Sequence, residues 1–227
     1  MIASMKNVTK VYSTGEVAVT ALKNISIDIE KGEFISIAGP SGSGKTTFMN
    51  ILGTLDKPTE GNVFFDSIDV TKLSKDRCAK LRRDQIGFVF QTYNLIPVLT
   101  ALENVEFPLV LMGRYSKRER MERAIEMLKN VGLEEYINRK PSEMSGGQQQ
   151  RVAIARALVK EPKLVLADEP TANLDSKTGA EVLEIMLKMN EKLGTTFIFA
   201  THDKMVMDFA KRLINLHDGE IVEDIKR

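Results

Sequence analysis

The chain has 227 residues, of which 43% are hydrophobic and 28% charged, and its formal net charge is +1. These values are ordinary for globular proteins, so they argue against a disordered chain and provide no overall attraction to nucleic acid. Cys78 is the only cysteine, which excludes a disulfide within the chain and suits a reducing compartment. The sequence has neither the roughly 18 consecutive apolar residues of a spanning helix nor a signal-peptide pattern, so we expect a cytoplasmic location.

Strands and helices alternate along the chain, which predicts an α/β fold. Apolar runs predict strands over 25–29, 34–38, 63–65, 86–90, 164–167 and 195–200. Helical spacing predicts helices over 45–52, 119–131, 147–159 and 177–192. Asp218 and Gly219 join two short apolar runs, as in a hairpin. Periodicity from 91 to 160 is mainly helical, which predicts a helical subdomain inserted into a core of residues 1–90 and 161–227.

A glycine-rich loop lies between the strand over 34–38 and the helix over 45–52. It and the first helical residues read Gly39, Pro40, Ser41, Gly42, Ser43, Gly44, Lys45, Thr46 and Thr47. The first eight match the P-loop pattern in its required strand–loop–helix context. Backbone N–H groups of such a loop surround phosphate oxygens, Lys45 adds charge for the β and γ phosphates, and Thr46 offers a hydroxyl to Mg²⁺. The pattern predicts binding of ATP or GTP.

Two acids, Asp168 and Glu169, follow the apolar strand over 164–167. The carboxyl ends of parallel strands face the ligand crevice, where Asp168 can hold Mg²⁺ through water. Adjacent carboxylates repel each other and must be solvated, paired or balanced by a cation. We therefore expect both acids at the nucleotide site.

The segment Ser145, Gly146, Gly147 and Gln148 leads into the helix over 147–159. Ser145 is typical of a helix N-cap. Two successive glycines are not explained by capping, since they lower helix propensity and expose N–H groups at the positive helix end. The segment therefore predicts a second anion-binding site.

The P-loop, the Ser-Gly-Gly-Gln signature and residues 164–169, in this order, resemble the ABC ATPases over nearly the whole chain. The resemblance implies a RecA-like P-loop NTPase core with an N-terminal antiparallel β region and a helical signature subdomain over 91–160. It also implies an ATP-bound homodimer, in which the signature of one subunit covers the γ-phosphate at the P-loop of the other. Met144 departs from the usual leucine before Ser145, but the two side chains are similar in volume.

The resemblance assigns roles to further residues. Gln91 contacts Mg²⁺ and senses a membrane partner, Asp175 lies in a loop that crosses the dimer interface, and adenine stacks on Tyr12. In hydrolysis, Glu169 polarises water, His202 positions it at the γ-phosphate, and Lys45 with Mg²⁺ offsets developing charge. Outside this resemblance, a lone tyrosine such as Tyr12 is more often a packed or surface residue. Gln91 and His202 would also be ordinary by residue type, but their positions after buried strands favour a site.

The runs 9–12, 97–105 and 145–158 resemble most the lipoprotein-release, macrolide-export and FtsE-like group. That group implies a separate integral membrane permease, work of the export or mechanotransmission type, and a position at the inner face of the cell membrane. A non-transport ABC ATPase acting on nucleic acid or in cofactor assembly would share the catalytic motifs. A small-molecule P-loop kinase would share the P-loop but has no use for Ser145 to Gln148.

An apolar segment follows Gln91 and leads into the helical subdomain. We expect Leu95, Ile96 and Leu99 to be exposed in a groove that receives a permease helix, because small exposed apolar patches often mark docking sites. Leu102 and Val105 are expected in the subdomain core.

Overall fold

The computed structural model describes residues 1–15 and 17–227, with the side chains of all of these except Thr14 and Val17. The strands are β1 (Ala3–Thr14), β2 (Val17–Ile29), β3 (Phe34–Ala38), β4 (Glu60–Phe65), β5 (Ile68–Asp69), β6 (Ile86–Val89), β7 (Leu164–Asp168), β8 (Thr196–Thr201), β9 (Arg212–His217) and β10 (Glu220–Lys226). The α-helices are α1 (Lys45–Leu52), α2 (Lys75–Gln85), α3 (Ala101–Met112), α4 (Lys117–Asn130), α5 (Gly146–Leu158), α6 (Ser176–Leu193) and α7 (Lys204–Phe209). Short 3₁₀ helices occupy Val70–Lys72, Glu134–Tyr136 and Pro141–Glu143. Among the described residues, no helix is both long enough and apolar enough to cross a membrane.

The central sheet has the strand order β10–β9–β3–β8–β7–β6. All pairs in it are parallel except the edge pair β9 and β10, which forms the predicted hairpin. Strands β3, β7 and β8 are almost wholly buried, which explains their continuous apolar sequences. Because β3, β8 and β7 are neighbours, the segments that follow them meet at one edge of the sheet.

The second sheet is antiparallel, in the order β2–β1–β4–β5. Its apolar face shares one core with α1 and β3, formed by residues such as Val8, Ile27, Phe48 and Ile35. The strand prediction over 25–29 covers only the end of β2. Register shifts between Met5 and Val11 interrupt the pairing of β1 with β2, and such bulges disturb the alternation of apolar and polar residues that marks a strand.

Helices α3, α4 and α5 lie between β6 and β7 in the chain and share a core with one face of the central sheet. Each begins at a capping box, at Thr100, Ser116 and Ser145 respectively. Leu102 is partly buried and Val105 fully buried in this core, as expected. The capping boxes supply partners for N–H groups that the first helical turn leaves unpaired.

The expected exposure of Leu95, Ile96 and Leu99 is wrong. All three are half-buried, and Leu95 packs against the core of the helical region. The cause is Asn104, a buried side chain whose amide nitrogen donates to the carbonyls of Ile96 and Leu99, each at 3.1 Å. These bonds hold the segment against α3.

The exposed apolar side chains of this region lie elsewhere. Val98 is 73% exposed, and Phe107, Val110 and Leu111 on α3 are 38%, 46% and 55% exposed. Phe107, Val110 and Leu111 are spaced i, i+3 and i+4 on α3 and therefore lie on one side of it; we call these three residues the α3 apolar face.

Candidate functional site

A cavity of about 670 Å³ lies at the carboxyl edge of β3, β7 and β8. It is lined by Val19, Thr20, Ala21, Pro40, Ser41, Gly42, Gly44, Lys45, Thr46, Thr47, Gln91, Asp168, Glu169 and His202. The fold thus brings together the predicted P-loop, the two acids, Gln91 and His202. The first three lining residues come from β2 and were not predicted, because no local pattern marks this strand as part of a site.

The P-loop is shaped by close backbone approaches. Gly44 has φ 103°, and a Cβ atom there would lie 2.5 Å from the carbonyl oxygen of Ala21. Glycine is therefore required at this position both for the left-handed backbone and for space. The Lys45 ammonium donates to the carbonyls of Gly39 at 2.8 Å and Pro40 at 2.9 Å, so the side chain folds back along the loop.

Asp168 ends β7 beside the start of α1. Burial raises the pKa of its carboxyl, and the neighbouring charge of Glu169 raises it further, while Lys45 and a hydrogen bond from Thr46 act in the opposite direction. The Thr46 hydroxyl, the Asp168 carboxylate and the Gln91 amide provide oxygen donors in one cavity, the donor type that Mg²⁺ prefers. In the described part of the chain no cluster of three His, Cys, Asp or Glu residues could hold a metal. The residues present thus fit an ion whose coordination is completed by phosphate and water.

Glu169 forms a pair with His202 across the ends of β7 and β8. Its Oε1 lies 2.6 Å from His202 Nδ1, and its Oε2 accepts a hydrogen bond from the Thr201 hydroxyl at 3.1 Å. Its backbone has φ 46°, and its N–H donates to the carbonyl of Ala200 at 2.9 Å. The Glu169 side chain is 16% exposed and that of His202 is 72% exposed. The pair therefore joins a shielded carboxylate to an imidazole that solvent and ligands can reach.

The loop after β6 is tied to two other segments. Asn173 donates from its amide to the carbonyl of Gln91 at 2.8 Å. On the other side, Arg156 of α5 donates to the carbonyls of Tyr93 at 2.7 Å and Asn94 at 2.5 Å. The Gln91 loop is thus bonded both to the loop before Asp175 and to the signature helix.

Tyr12 lies beside the cavity, next to Thr47. Its hydroxyl donates to Asp56 at 2.8 Å, and the Lys10 ammonium lies 4.7 Å from the ring centroid. Burial and the hydrogen bond to Asp56 raise the pKa of the hydroxyl. These contacts set the ring orientation. Sequence reasoning missed Asp56 because it is distant in the chain.

The signature residues and Asp175 do not line the cavity of their own chain. Ser145 and Gln148 bond each other's backbone N–H groups at the start of α5, which confirms Ser145 as the N-cap. Asp175 is the N-cap of α6 and accepts from the backbone of Lys177 and Thr178. Ser145 and Asp175 are exposed, and neither lines the P-loop cavity.

The P-loop follows β3, the two acids lie at the end of β7, and β8 lies between these strands. Together with the oxygen-lined cavity at that edge, this arrangement defines a P-loop nucleoside triphosphatase. The sequence model of one protein family, whose description is "ABC transporter", matches residues 22–172 of this chain. The chain therefore belongs to the ABC transporter family, in which it is an ATP-binding cassette with ATPase activity in transport.

Individual relatives agree with this membership. The chain is 55% identical over 225 residues to the ABC transporter ATP-binding protein MJ0796 of Methanocaldococcus jannaschii, covering 98% of this chain and 96% of that protein. A dimeric structure of MJ0796 in a post-hydrolysis state bound to ADP and Pi superposes with a TM-score of 0.91 at 54% identity, covering 99% and 98% of the two chains. The macrolide export ATP-binding/permease protein MacB of Campylobacter jejuni is 51% identical; the match covers 98% of this chain but only 34% of MacB.

Proposed function

We propose that two copies of this chain enclose two ATP molecules, hydrolyse them and thereby drive an integral membrane permease. The observation that carries the proposal is the Glu169–His202 pair, 2.6 Å apart and facing the P-loop cavity. A carboxylate at this place can polarise a water molecule for attack on the terminal phosphate.

The chain's own residues divide the work at the phosphates. Glu169 is held by His202 and Thr201, so its carboxylate is oriented before substrate arrives. Because Nδ1 of His202 bonds Glu169, its Nε2 is the ring nitrogen that serves the γ-phosphate and the attacking water. Lys45 exchanges the carbonyls of Gly39 and Pro40 for phosphate oxygens, which it can do by a rotation of its flexible side chain.

We propose Mg²⁺ as the metal, held by Thr46, Asp168 and Gln91. The ion supplies positive charge that offsets the negative charge developing on the phosphate oxygens. The free-energy cost of ionising Asp168 in this buried position beside Glu169 would then be smaller, because a nearby cation favours the ionised carboxylate. The all-oxygen donor set described above supports magnesium over softer metals.

The second half of each ATP site comes from the other subunit. Residues Ser145 to Gln148 begin a helix of 13 residues, whose N-terminus favours an anion, yet they do not line their own cavity. We infer that they cover the partner's γ-phosphate, with Asp175 near the same interface. The dimeric MJ0796 structure with ADP and Pi supports this arrangement. At the other end of the nucleotide, adenine stacks on the Tyr12 ring face opposite Lys10.

The proposed permease docks on the α3 apolar face. Apolar side chains exposed together are typical of interaction sites, and MacB, a relative of this chain, is named as an ATP-binding/permease protein. We propose that residues 91–160 form the subdomain that moves with the permease. The chain would then act at the inner face of the cell membrane, in export or mechanotransmission, without direct contact with nucleic acid.

The test is Glu169→Gln, which keeps size and hydrogen-bonding reach but removes the negative charge. We expect hydrolysis to fall at least about a hundredfold and light scattering to detect an ATP-dependent dimer. Adding Ser145→Arg should prevent that dimer while a fluorescent ATP analogue still binds. A Glu169→Gln protein that remains monomeric at saturating ATP would contradict the enclosed dimer.

A further inference from the structure

A buried amide connects the signature helix to the catalytic turn. Gln150 lies on α5, is 0% exposed, and donates from Nε2 to the carbonyl of Pro170 at 2.7 Å. Only the NH₂ end of an amide can pair with a carbonyl, so this contact also determines the orientation of the side chain. Pro170 directly follows Glu169 in the chain.

The turn at Glu169 needs support from its surroundings. Glu169 has φ 46°, a left-handed conformation that costs a non-glycine residue free energy and persists only where neighbouring contacts hold it. On one side its N–H is bonded to the carbonyl of Ala200 at 2.9 Å. On the other side the Gln150 bond holds the carbonyl of the next residue. The two bonds together hold the backbone from which the carboxylate projects.

Packing alone does not account for the amide. Gln150 Oε1 is buried, and in the part of the chain that the structure describes it has no hydrogen-bond partner. A buried acceptor without a partner is destabilising, and an apolar side chain of similar size would avoid that cost. What glutamine adds over such a side chain is its N–H donation to Pro170.

We propose that Gln150 is a positioning residue for hydrolysis: it holds the Glu169 carboxylate in place and ties it to the helix that begins at the signature. The inference rests on the role proposed above for Glu169. It assigns Gln150 no contact with ATP, so loss of the amide should reduce turnover and leave nucleotide binding intact.

The first test is Gln150→Met, measured with ATP and Mg²⁺ on the full chain. The variant keeps the volume and loses the N–H donor together with the unpaired acceptor. We expect kcat to fall about tenfold through misplacement of Glu169, with KM for ATP within about twofold and a thermal unfolding temperature within a few degrees of wild type. Gln149→Met is the matched control, since Gln149 lies on the same helix and donates to the carbonyl of Met144 at 3.0 Å. Its kcat should match wild type.

The second test is Gln150→Glu, read as a pH profile. Burial raises the pKa of a carboxyl, and only the protonated acid has an O–H to donate to Pro170. Relative to wild type, kcat should therefore recover as the pH is lowered from 8 to 6. The comparison uses only pH values at which circular dichroism shows Gln150→Glu to be folded, so it decides the matter even if Gln150→Met folds poorly.

The outcomes separate this inference from the function on which it rests. If Glu169→Gln is inactive while Gln150→Met retains wild-type kcat and merely unfolds earlier, Gln150 serves packing and the inference is overturned. The inference would also be overturned if the ratio of kcat for Gln150→Glu to kcat for wild type did not change between pH 8 and pH 6. If Glu169→Gln itself hydrolyses ATP normally, the proposed role of Glu169 fails first.

Discussion

Asp168 and Glu169 are consecutive residues with opposite surroundings. Asp168 still belongs to β7 and lies against Lys45 and Thr46, whereas Glu169 starts a left-handed turn and bonds His202. Both carboxylates line the same cavity, but each contacts different groups. One acid is thus suited to the metal and the other to the attacking water.

Asp168→Asn should make the nucleotide-free protein more stable at pH 7.5 and inactive. Burial and Glu169 raise the pKa of Asp168 in the folded state, so the folded protein holds this proton more tightly than the unfolded chain. The contribution of Asp168 is therefore favourable below its ordinary pKa of about 4 and is lost as the pH rises through the folded pKa. Calorimetry without nucleotide or Mg²⁺ should show a stability gain at pH 7.5 that shrinks as the pH is lowered through the raised pKa toward the ordinary value of about 4. A gain that is undiminished at about pH 4 would contradict the assignment.

Sequence patterns predicted the site residues that share a short motif and missed those joined by the fold. The P-loop and the two acids are recognisable because their spacing is local. Asp56, which orients Tyr12, is 44 positions away from it. Gln150 and Pro170 are 20 positions apart, and neither belongs to a motif that would pair them.

Among the elements, α2 depends on a side chain from another part of the fold. Lys160, which follows α5, donates to the carbonyls of Arg82, Arg83 and Ile86 at 2.7–2.9 Å. These carbonyls lie at the C-terminal end of α2, where a helix lacks internal partners and favours a positive charge. Burial lowers the pKa of Lys160 to about 8, while the charge of Asp84 acts in the opposite direction.

Lys160→Met should destabilise the chain by about 1–2 kcal/mol at pH 7.5, because three carbonyls lose their donor. The folded pKa of Lys160 is lower than in the unfolded chain, so between about pH 8 and its ordinary pKa the unfolded state binds more protons. The contribution of Lys160 to the free energy of unfolding of the wild type therefore rises with pH in that range. Urea unfolding should find a larger deficit of the variant at pH 9.5 than at pH 7.5. If the stability difference between wild type and variant were smaller at pH 9.5 than at pH 7.5, Lys160 would not be buried as described.

The predicted helices have nearly the bounds that the structure shows, for a local reason, whereas α2, α3 and α7 were not predicted individually and β1 and β5 were missed. The helix over 119–131 begins at Lys117 and the helix over 147–159 begins at Gly146, because capping boxes and 3.6-residue spacing lie within the segment itself. Strand β1 was missed because its pairing partners lie in β2 and β4, and bulges interrupt its alternation. Its formation depends on contacts that no short window of sequence contains.

At the scale of the whole molecule, the α3 apolar face lies on the helical region, while the P-loop belongs to the central sheet. Arg156 and Asn173 join the two regions through the Gln91 loop. On α3 itself, Asn104 donates to the carbonyl of Ile96, in the segment that follows Gln91. The helix that carries the apolar face is thus bonded to the segment that leads to the cavity, and a docked permease helix would not itself need to reach the nucleotide.

Phe107→Glu combined with Leu111→Glu should abolish docking and spare catalysis. Two glutamate side chains buried in an interface without partners are strongly unfavourable. Neither Phe107 nor Leu111 lines the nucleotide cavity, so ATP hydrolysis should be unaffected. ATPase activity of the isolated chain should stay within about twofold of wild type, while co-purification with its native permease is lost. Ile68→Glu with Val222→Glu is the control pair, since both are exposed apolar side chains that lie on strands β5 and β10 and not on α3. Normal co-purification of the α3 variant would place the permease elsewhere.

The Gln150–Pro170 hydrogen bond also gives α5 the geometry of a lever. Ser145 precedes Gln150 by five residues, about 7.5 Å along the helix axis at 1.5 Å per residue. A tilt of about 4° about this bond would move Ser145 by about 0.5 Å, the full spread of ordinary N–H···O distances. Even over this short arm, a rotation of a few degrees is enough to make or break a hydrogen bond between the signature and the partner's phosphate in the proposed dimer.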